Sequence, residues 1–185
     1  MKTIFIDTET TSSNSQTCGL VQIAGIVEIE GKEIDRFNIN SNIFGDEEIS
    51  EEALEINGLT MKQIQKFPKP RIAFAKFISQ LKKHIDQYNK TDKFIALAYK
   101  SEFDNNVLRN WFIRNNDQYF GSWFWNPWID IMNLAMYILQ SERHQLTNFK
   151  LITVAEYLGI DLDKRNAHDA LYDVELARKV YKEIT

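Results

Sequence analysis

Asp7 and Glu9 stand two residues apart, directly after the short apolar run Thr3-Ile4-Phe5-Ile6. Residues i and i+2 of an extended chain share a face, so both acids are expected on one side of a strand. Carboxylates placed side by side repel and raise each other's pKa unless a cation lies between them, and a divalent metal removes that conflict. The competing reading makes Asp7-Thr8-Glu9-Thr10-Thr11 a polar loop with no chemistry. A third acid, Asp104, falls at the start of a helix, where Ser101 and Asp104 have N-cap and N3 spacing; capping is its plain alternative. Topology favours chemistry, because acids at the carboxyl ends of neighbouring strands converge where open α/β sheets bind ligands. A fourth, Asp173, shares a helical side with Leu176, Ala177 and Val180, and an acid there is costly to bury unless paired or metal-bound. Asp169, four residues earlier, competes for that role. His168 precedes both, and a histidine, with its ordinary pKa of about 6.5, can take a proton at neutral pH. His84 and His144 read as packed or solvated side chains.

These residues need a scaffold, and the chain is long enough to supply one. Its 185 residues fit a single domain spanning 1–185, and 44% hydrophobic with 12% aromatic residues allow a sizeable core. The net charge of −4 argues against a large basic surface, so a polyanionic substrate would be held by a few cations or by metal ions. Cys18 is the only cysteine, which excludes an intramolecular disulfide and a thiolate metal cage and agrees with a reducing compartment. No stretch approaches a membrane span, so a soluble, cytoplasmic protein without a membrane partner is expected.

Periodicity gives the elements. Residues 3–6 read as a strand covered on both sides. Residues 20–30 and 33–39 read as two more strands, with Gly31-Lys32 as the hairpin between them. A short helix over 50–59 is followed by the capping-box spacing of Thr60 and Gln63, and Pro68 and Pro70 mark a break. Phe74, Phe77, Ile78, Leu81 and Ile85 stripe an amphipathic helix. Residues 94–99 form another buried strand, and further helices carry Val107 to Phe112, Ile131 to Ile138, Leu151 to Leu158, and Leu176 to Val180. A strand hairpin followed by alternating strand and helix predicts a mixed α/β sheet with helices on its faces. The aromatic cluster Trp123, Phe124, Trp125 and Trp128 suits base stacking or, preferably, core or partner packing.

Asp-x-Glu on a first strand, Phe103-Asp104 after a later strand and His168-x-x-x-x-Asp173 together resemble the DEDDh branch of the DnaQ-like exonucleases. The resemblance extends through Gln22-Ile23-Ala24-Gly25-Ile26-Val27, Ile56-Asn57-Gly58-Leu59-Thr60, the run 129–135 and the run 151–160. It implies a ribonuclease H-like fold, Asp7, Glu9, Asp104 and Asp173 as ligands of two Mg²⁺ or Mn²⁺ ions, and His168 as the base that activates water. Two cations about 3.5–4 Å apart can generate a nucleophile and stabilise the leaving oxygen together. The implied activity is 3′→5′ removal of 5′-mononucleotides from a single-stranded DNA or RNA end, with DNA favoured. RNA trimming and a catalytically silent nucleic-acid-binding subunit are the alternatives, and a separate polymerase or other tethering subunit is a conceivable partner. The implied substrate contacts are Thr10, Thr11, Lys100 and Phe103. Two departures stand out: Tyr99-Lys100-Ser101 replaces a common His-Asn-Ala, and Ser12 replaces the usual glycine after the first acidic motif. Lys100 reads either as a phosphate contact or as a solvated side chain.

Overall fold

The first strand outruns the apolar segment that announces it. In the computed structural model, which describes residues 1–163 and 168–185, β1 spans Lys2–Thr10. It stays extended through the acids because β2, Leu20–Ile29, pairs antiparallel along its length, with Asp7 opposite Ala24 and Glu9 opposite Gln22. The polar-loop alternative for Asp7 and Glu9 is therefore wrong. β3, Lys32–Asn40, continues the hairpin. Its two-residue turn is Glu30-Gly31, one position before the expected one; both residues have positive φ, 49° and 76°, as the tight primed turn demands.

On the other side of β1 lies β4, Ile95–Ala98, in parallel, and beyond it β5, Ile129–Asp130. The strand order is β3-β2-β1-β4-β5. No periodicity in the sequence signals β5, since two residues cannot display an alternation.

The helices are α1 Glu51–Ile56, α2 Met61–Ile64, α3 Pro70–Lys82, α4 Ser101–Arg114, α5 Ile131–Ile138, α6 Leu151–Tyr157 and α7 Ala170–Ile184. One face of the sheet packs Ile4, Ile6 and Phe37 against Phe74 and Phe77 of α3 and Val107, Trp111 and Phe112 of α4. The other face packs Phe5, Ala24, Ile26 and Leu97 against α5, α6 and α7. Trp123, Phe124 and Trp128 are buried in the first core, which removes them as base-stacking platforms, while Trp125 is exposed beneath the Lys93 ammonium. A mixed sheet sandwiched by helices is the ribonuclease H-like fold that the resemblance implies. No helix among the described residues is long and apolar enough to cross a membrane.

Candidate active site

Side-chain parity on β1 divides the site. Asp7 and Glu9 continue the face of Phe5, on which α7 packs; Thr8 continues the face of Ile4 and Ile6, on which α4 packs. From its side Thr8 donates its hydroxyl to Oδ1 of Asp104 at 2.6 Å, fixing an acid that is only 3% exposed. Asp104 is thus held as an acceptor at the sheet, and the expected capping partnership with Ser101 does not form. The start of α4 is satisfied instead by Asp130, which accepts the Ser101 N–H at 2.7 Å through one oxygen and the Asn133 N–H of α5 at 2.9 Å through the other.

The opposite wall comes from the start of α7. Asp169 is its N-cap, accepting from the N–H groups of Leu171 and Tyr172. Asp169 thus caps the helix, whereas Asp173 lies with Glu9 and His168. Gln22 locks the junction to β2, donating to Oδ2 of Asp169 at 3.2 Å and accepting the Ala170 N–H at 3.4 Å. His168 is held in the left-handed region at φ 68°, with its N–H donated to Asp173 at 3.3 Å. Left-handed backbone is strained for a residue with a Cβ, so it persists only where neighbours over-determine it. Ligand atoms of Glu9, His168 and Asp173 lie within 4.8 Å of one another. Asp7 and Asp104 flank that trio rather than joining it. Asn166 and Ala167, which begin the histidine-containing run, lie outside the described residues.

Electrostatics follow from this crowding. Burial, then the charges of Asp104, Glu9 and Asp173, raise the Asp7 carboxyl well above its ordinary range. Burial and the neighbouring Asp173 and Asp104 push Glu9 up to about 8. Burial lifts Asp104 to about 7 against the hydrogen bond from Thr8, and lifts Asp173 to about 6 against the charge of His168. Two buried and two half-buried carboxylates that repel one another, with an imidazole beside them and no Lys or Arg paired to them among the described residues, are a donor set that fits a divalent cation.

Beside the acids opens a cleft of about 670 Å³, its floor made by Asp7, Thr8 and Asp104. Lys100 and Phe103 of the α4 start line one wall, Met132 and Asn133 of α5 another, and Ser13 and Ser15 a third. Lys100 is exposed and left-handed at φ 66°. Thr10 and Thr11 do not reach the cleft as free donors. Both are buried; Thr10 donates to the Ser12 carbonyl, and Thr11 donates to the Glu48 carbonyl while accepting from the Gly19 N–H. His84 packs half-buried beside Asp35, and His144 is exposed in a short 3₁₀ turn, both away from the site.

A family model described as an exonuclease matches residues 4–181. The chain belongs to this exonuclease family. The match takes in β1 from Ile4 onward and α7 up to its last turn, so all five candidate residues of this exonuclease fall within it. No curated protein sequence matches it. Among solved structures it resembles Escherichia coli exonuclease I bound to a dT13 oligonucleotide, with a TM-score of 0.76 at 22% identity over 98% of this chain and 40% of that one. A zinc-bound complex of the same enzyme with single-stranded DNA gives 0.77 at 23% identity over 99% of this chain and 40% of that chain. Exonuclease I of Methylocaldum szegediense gives 0.74 at 20% identity, covering 97% of this chain and 40% of that one. The likeness is one of fold, and this exonuclease spans about 40% of the length of those chains.

Thr8, Gln22 and Asp130 are the site-shaping residues that sequence reasoning passed over. Only Asp130 carried a signal, as an N-cap type directly before the apolar stripe of α5. Thr8 and Gln22 act across elements, and their roles follow from β1 register rather than from local spacing.

Proposed function

We propose that this chain acts as one metal-dependent 3′→5′ exonuclease domain that releases 5′-mononucleotides from single-stranded nucleic acid, DNA by preference. The observation behind it is the convergence of four carboxylates and a histidine at the end of β1 and the starts of α4 and α7. Asp7, Glu9, Asp104 and Asp173 would hold Mg²⁺ or Mn²⁺. Bound there, such ions lower the pKa of water and stabilise charge on the leaving 3′ oxygen. His168 takes the proton of the attacking water, the P–O3′ bond of the terminal linkage breaks, and the phosphate leaves on the released nucleotide. Thr8 keeps Asp104 aimed at the reacting groups, and Gln22 with Asp169 fixes the helix start that carries His168 and Asp173. Lys100, on the cleft wall, supplies a cation for phosphate, and Phe103 an aromatic edge for the terminal base. Single-stranded DNA in the exonuclease I complexes supports the choice of substrate.

Matched DNA and RNA strands, labelled so that the terminal nucleotide is followed, test this with Mg²⁺ and with EDTA. Mononucleotides released from the 3′ end of DNA, and lost on chelation, are expected. Equal or faster trimming of RNA would move the substrate class, since discrimination then rests on 2′-hydroxyl contacts. Cutting of a closed circular single strand would refute the exonucleolytic mode altogether.

A further inference from the structure

The net charge of −4 conceals an uneven distribution. Between Glu55 and Asp86 the sequence holds Lys62, Lys66, Lys69, Arg71, Lys76, Lys82 and Lys83 and not one Asp or Glu. The preceding stretch, 46–55, is the reverse, with Asp46, Glu47, Glu48, Glu51, Glu52 and Glu55 and no cation. All seven basic residues are exposed. Only Lys83 has a carboxylate partner among the described residues, Asp35 at 3.1 Å. On α3, Arg71, Lys76, Lys82 and Lys83 occupy the side opposite Ala73, Phe74, Phe77 and Leu81, which are buried against the sheet. The charges on the exposed side of this helix are therefore all positive, with Ile72, Ala75 and Ser79 between them.

The position of that face is fixed by hydrogen bonds. Asn57, the C-cap of α1, donates its side-chain amide to the carbonyl of Thr10, the last residue of β1 and next to Glu9. The Pro68 carbonyl accepts from Asn42, just past the end of β3, which lies at the same end of the sheet as Thr10. Lys62, Lys66, Lys69 and Arg71 thus belong to the active-site end of the molecule. At the other end of α3, the His84 carbonyl accepts from Lys2 at 2.6 Å, at the start of β1. With 13 residues and a rise of about 1.5 Å each, α3 carries positive charge over roughly 20 Å away from the site.

We propose that the α2–α3 face is a tracking surface for the phosphate backbone of a single strand whose 3′ end lies in the cleft. The proposal rests on the exonuclease function proposed above. Affinity of this kind comes from counterion release by cations that have no protein partner, and it needs no base recognition. The glutamates of α1 border the surface and repel phosphate, so the strand is confined to the basic side of that border. Little long-range attraction is expected from the whole chain, yet a strand already seated meets a row of unpaired cations.

The test is binding of a fluorescent oligothymidylate of about 30 nucleotides, longer than typical footprints of about 4–16 nucleotides, measured in EDTA over a salt series. Each phosphate contact adds about 0.7 to the slope of log affinity against log salt for a single strand. The triple variant Lys69→Gln/Arg71→Gln/Lys76→Gln is expected to flatten the slope by about 2. A control triple, Lys32→Gln/Lys90→Gln/Lys179→Gln, removes equally exposed cations elsewhere and should leave the slope almost unchanged. Equal slopes for wild type and the α3 variant, or equal losses in both triples, overturn the proposal. Cleavage of a strand of about 4 nucleotides with Mg²⁺ is run in parallel. The α3 variant should keep it at the wild-type rate. Failure of the wild type to cleave it, with the slopes as expected, would refute the exonuclease function and leave the basic surface standing.

Discussion

The two ends of β1 handle acids in opposite ways. At its start, Lys2 pairs with Asp92 at 2.6 Å, and His84 and Lys83 meet Asp35 at 3.0 and 3.1 Å. Asp92 is held below its ordinary pKa, first by the Asp86 N–H and then by Lys2. Burial pushes Asp35 upward, but hydrogen bonds from His84 and Lys83 outweigh it and the net shift is down. At the far end of the same strand, Asp7, Glu9, Asp104 and Asp173 have no Lys or Arg partner among the described residues, and all four are raised. Identical residue types thus mark structure where the chain supplies the cation and a candidate metal site where the described residues supply none.

The widest separation between the two ends should come from removing one charge at each. Asp7→Asn should bring cleavage to background while raising the melting temperature of the metal-free protein, because a repelling charge leaves the cluster. Relief of about 1 kcal/mol corresponds to roughly 2–4 °C for a chain of this size. Asp92→Asn should do the reverse, with normal cleavage and a slightly lower melting temperature. Side-by-side calorimetry and single-turnover assays decide this, and a lower melting temperature for metal-free Asp7→Asn would contradict it.

His168→Ala is expected to lose on the order of 10²–10⁴-fold in rate, the usual worth of general acid–base catalysis. His84→Ala should stay near wild type. Wild-type turnover of His168→Ala under saturating Mn²⁺ would reduce that histidine to a structural role.

A smaller loss follows from the clamp behind it. Gln22→Leu removes the ties to Asp169 and Ala170, and loss of such supporting hydrogen bonds typically costs about 10–100-fold. The loss should fall on kcat rather than KM, since Gln22 is not among the residues lining the cleft. An unchanged kcat would show that Asp169 alone holds the start of α7.

The pH dependence of stability sharpens the contrast further. Folding raises Glu9 from 4.5 to about 8, Asp104 from 3.8 to about 7 and Asp173 from 3.8 to about 6. Over that window the folded protein keeps protons that the unfolded chain releases, so metal-free stability must fall as pH rises from about 5 to 8. Asp92 and Asp35 have the opposite sign: their contribution is present above about pH 4 and fades below it. Melting curves in EDTA and in Mg²⁺ should therefore diverge toward alkaline pH, with the metal removing the decline. Parallel curves across pH 5–8 would mean that the four acids are not the metal's ligands.

Most of the fold was legible because it rests on patterns with a period: the apolar stripes of α3, α4 and α7, the Thr60–Gln63 capping box and the β2–β3 hairpin. Type and spacing raised the five residues as candidates, and the family resemblance supplied their roles and the choice of Asp173 over Asp169. What escaped was whatever depends on a neighbour distant in sequence. β1 reaches Thr10 because β2 pairs with it, and β5 exists only because β4 offers an edge. Asp104 spacing pointed to a cap, yet Thr8, 96 residues earlier, had first claim on its oxygen. Thr10 and Thr11 look available in sequence, but their hydroxyls are consumed by the loop that follows. A net charge cannot reveal that its cations are gathered on one helix face.

Asp130 has a consequence for the shape of the cleft. One carboxylate receives the first free N–H of α4 through one oxygen and an N–H in the first turn of α5 through the other, so two walls share a single pin. Neither helix start can swing outward without surrendering one of these two bonds. The cleft walls that carry Phe103 and Met132 are thereby tied to one side chain, a gauge of set bore rather than a jaw.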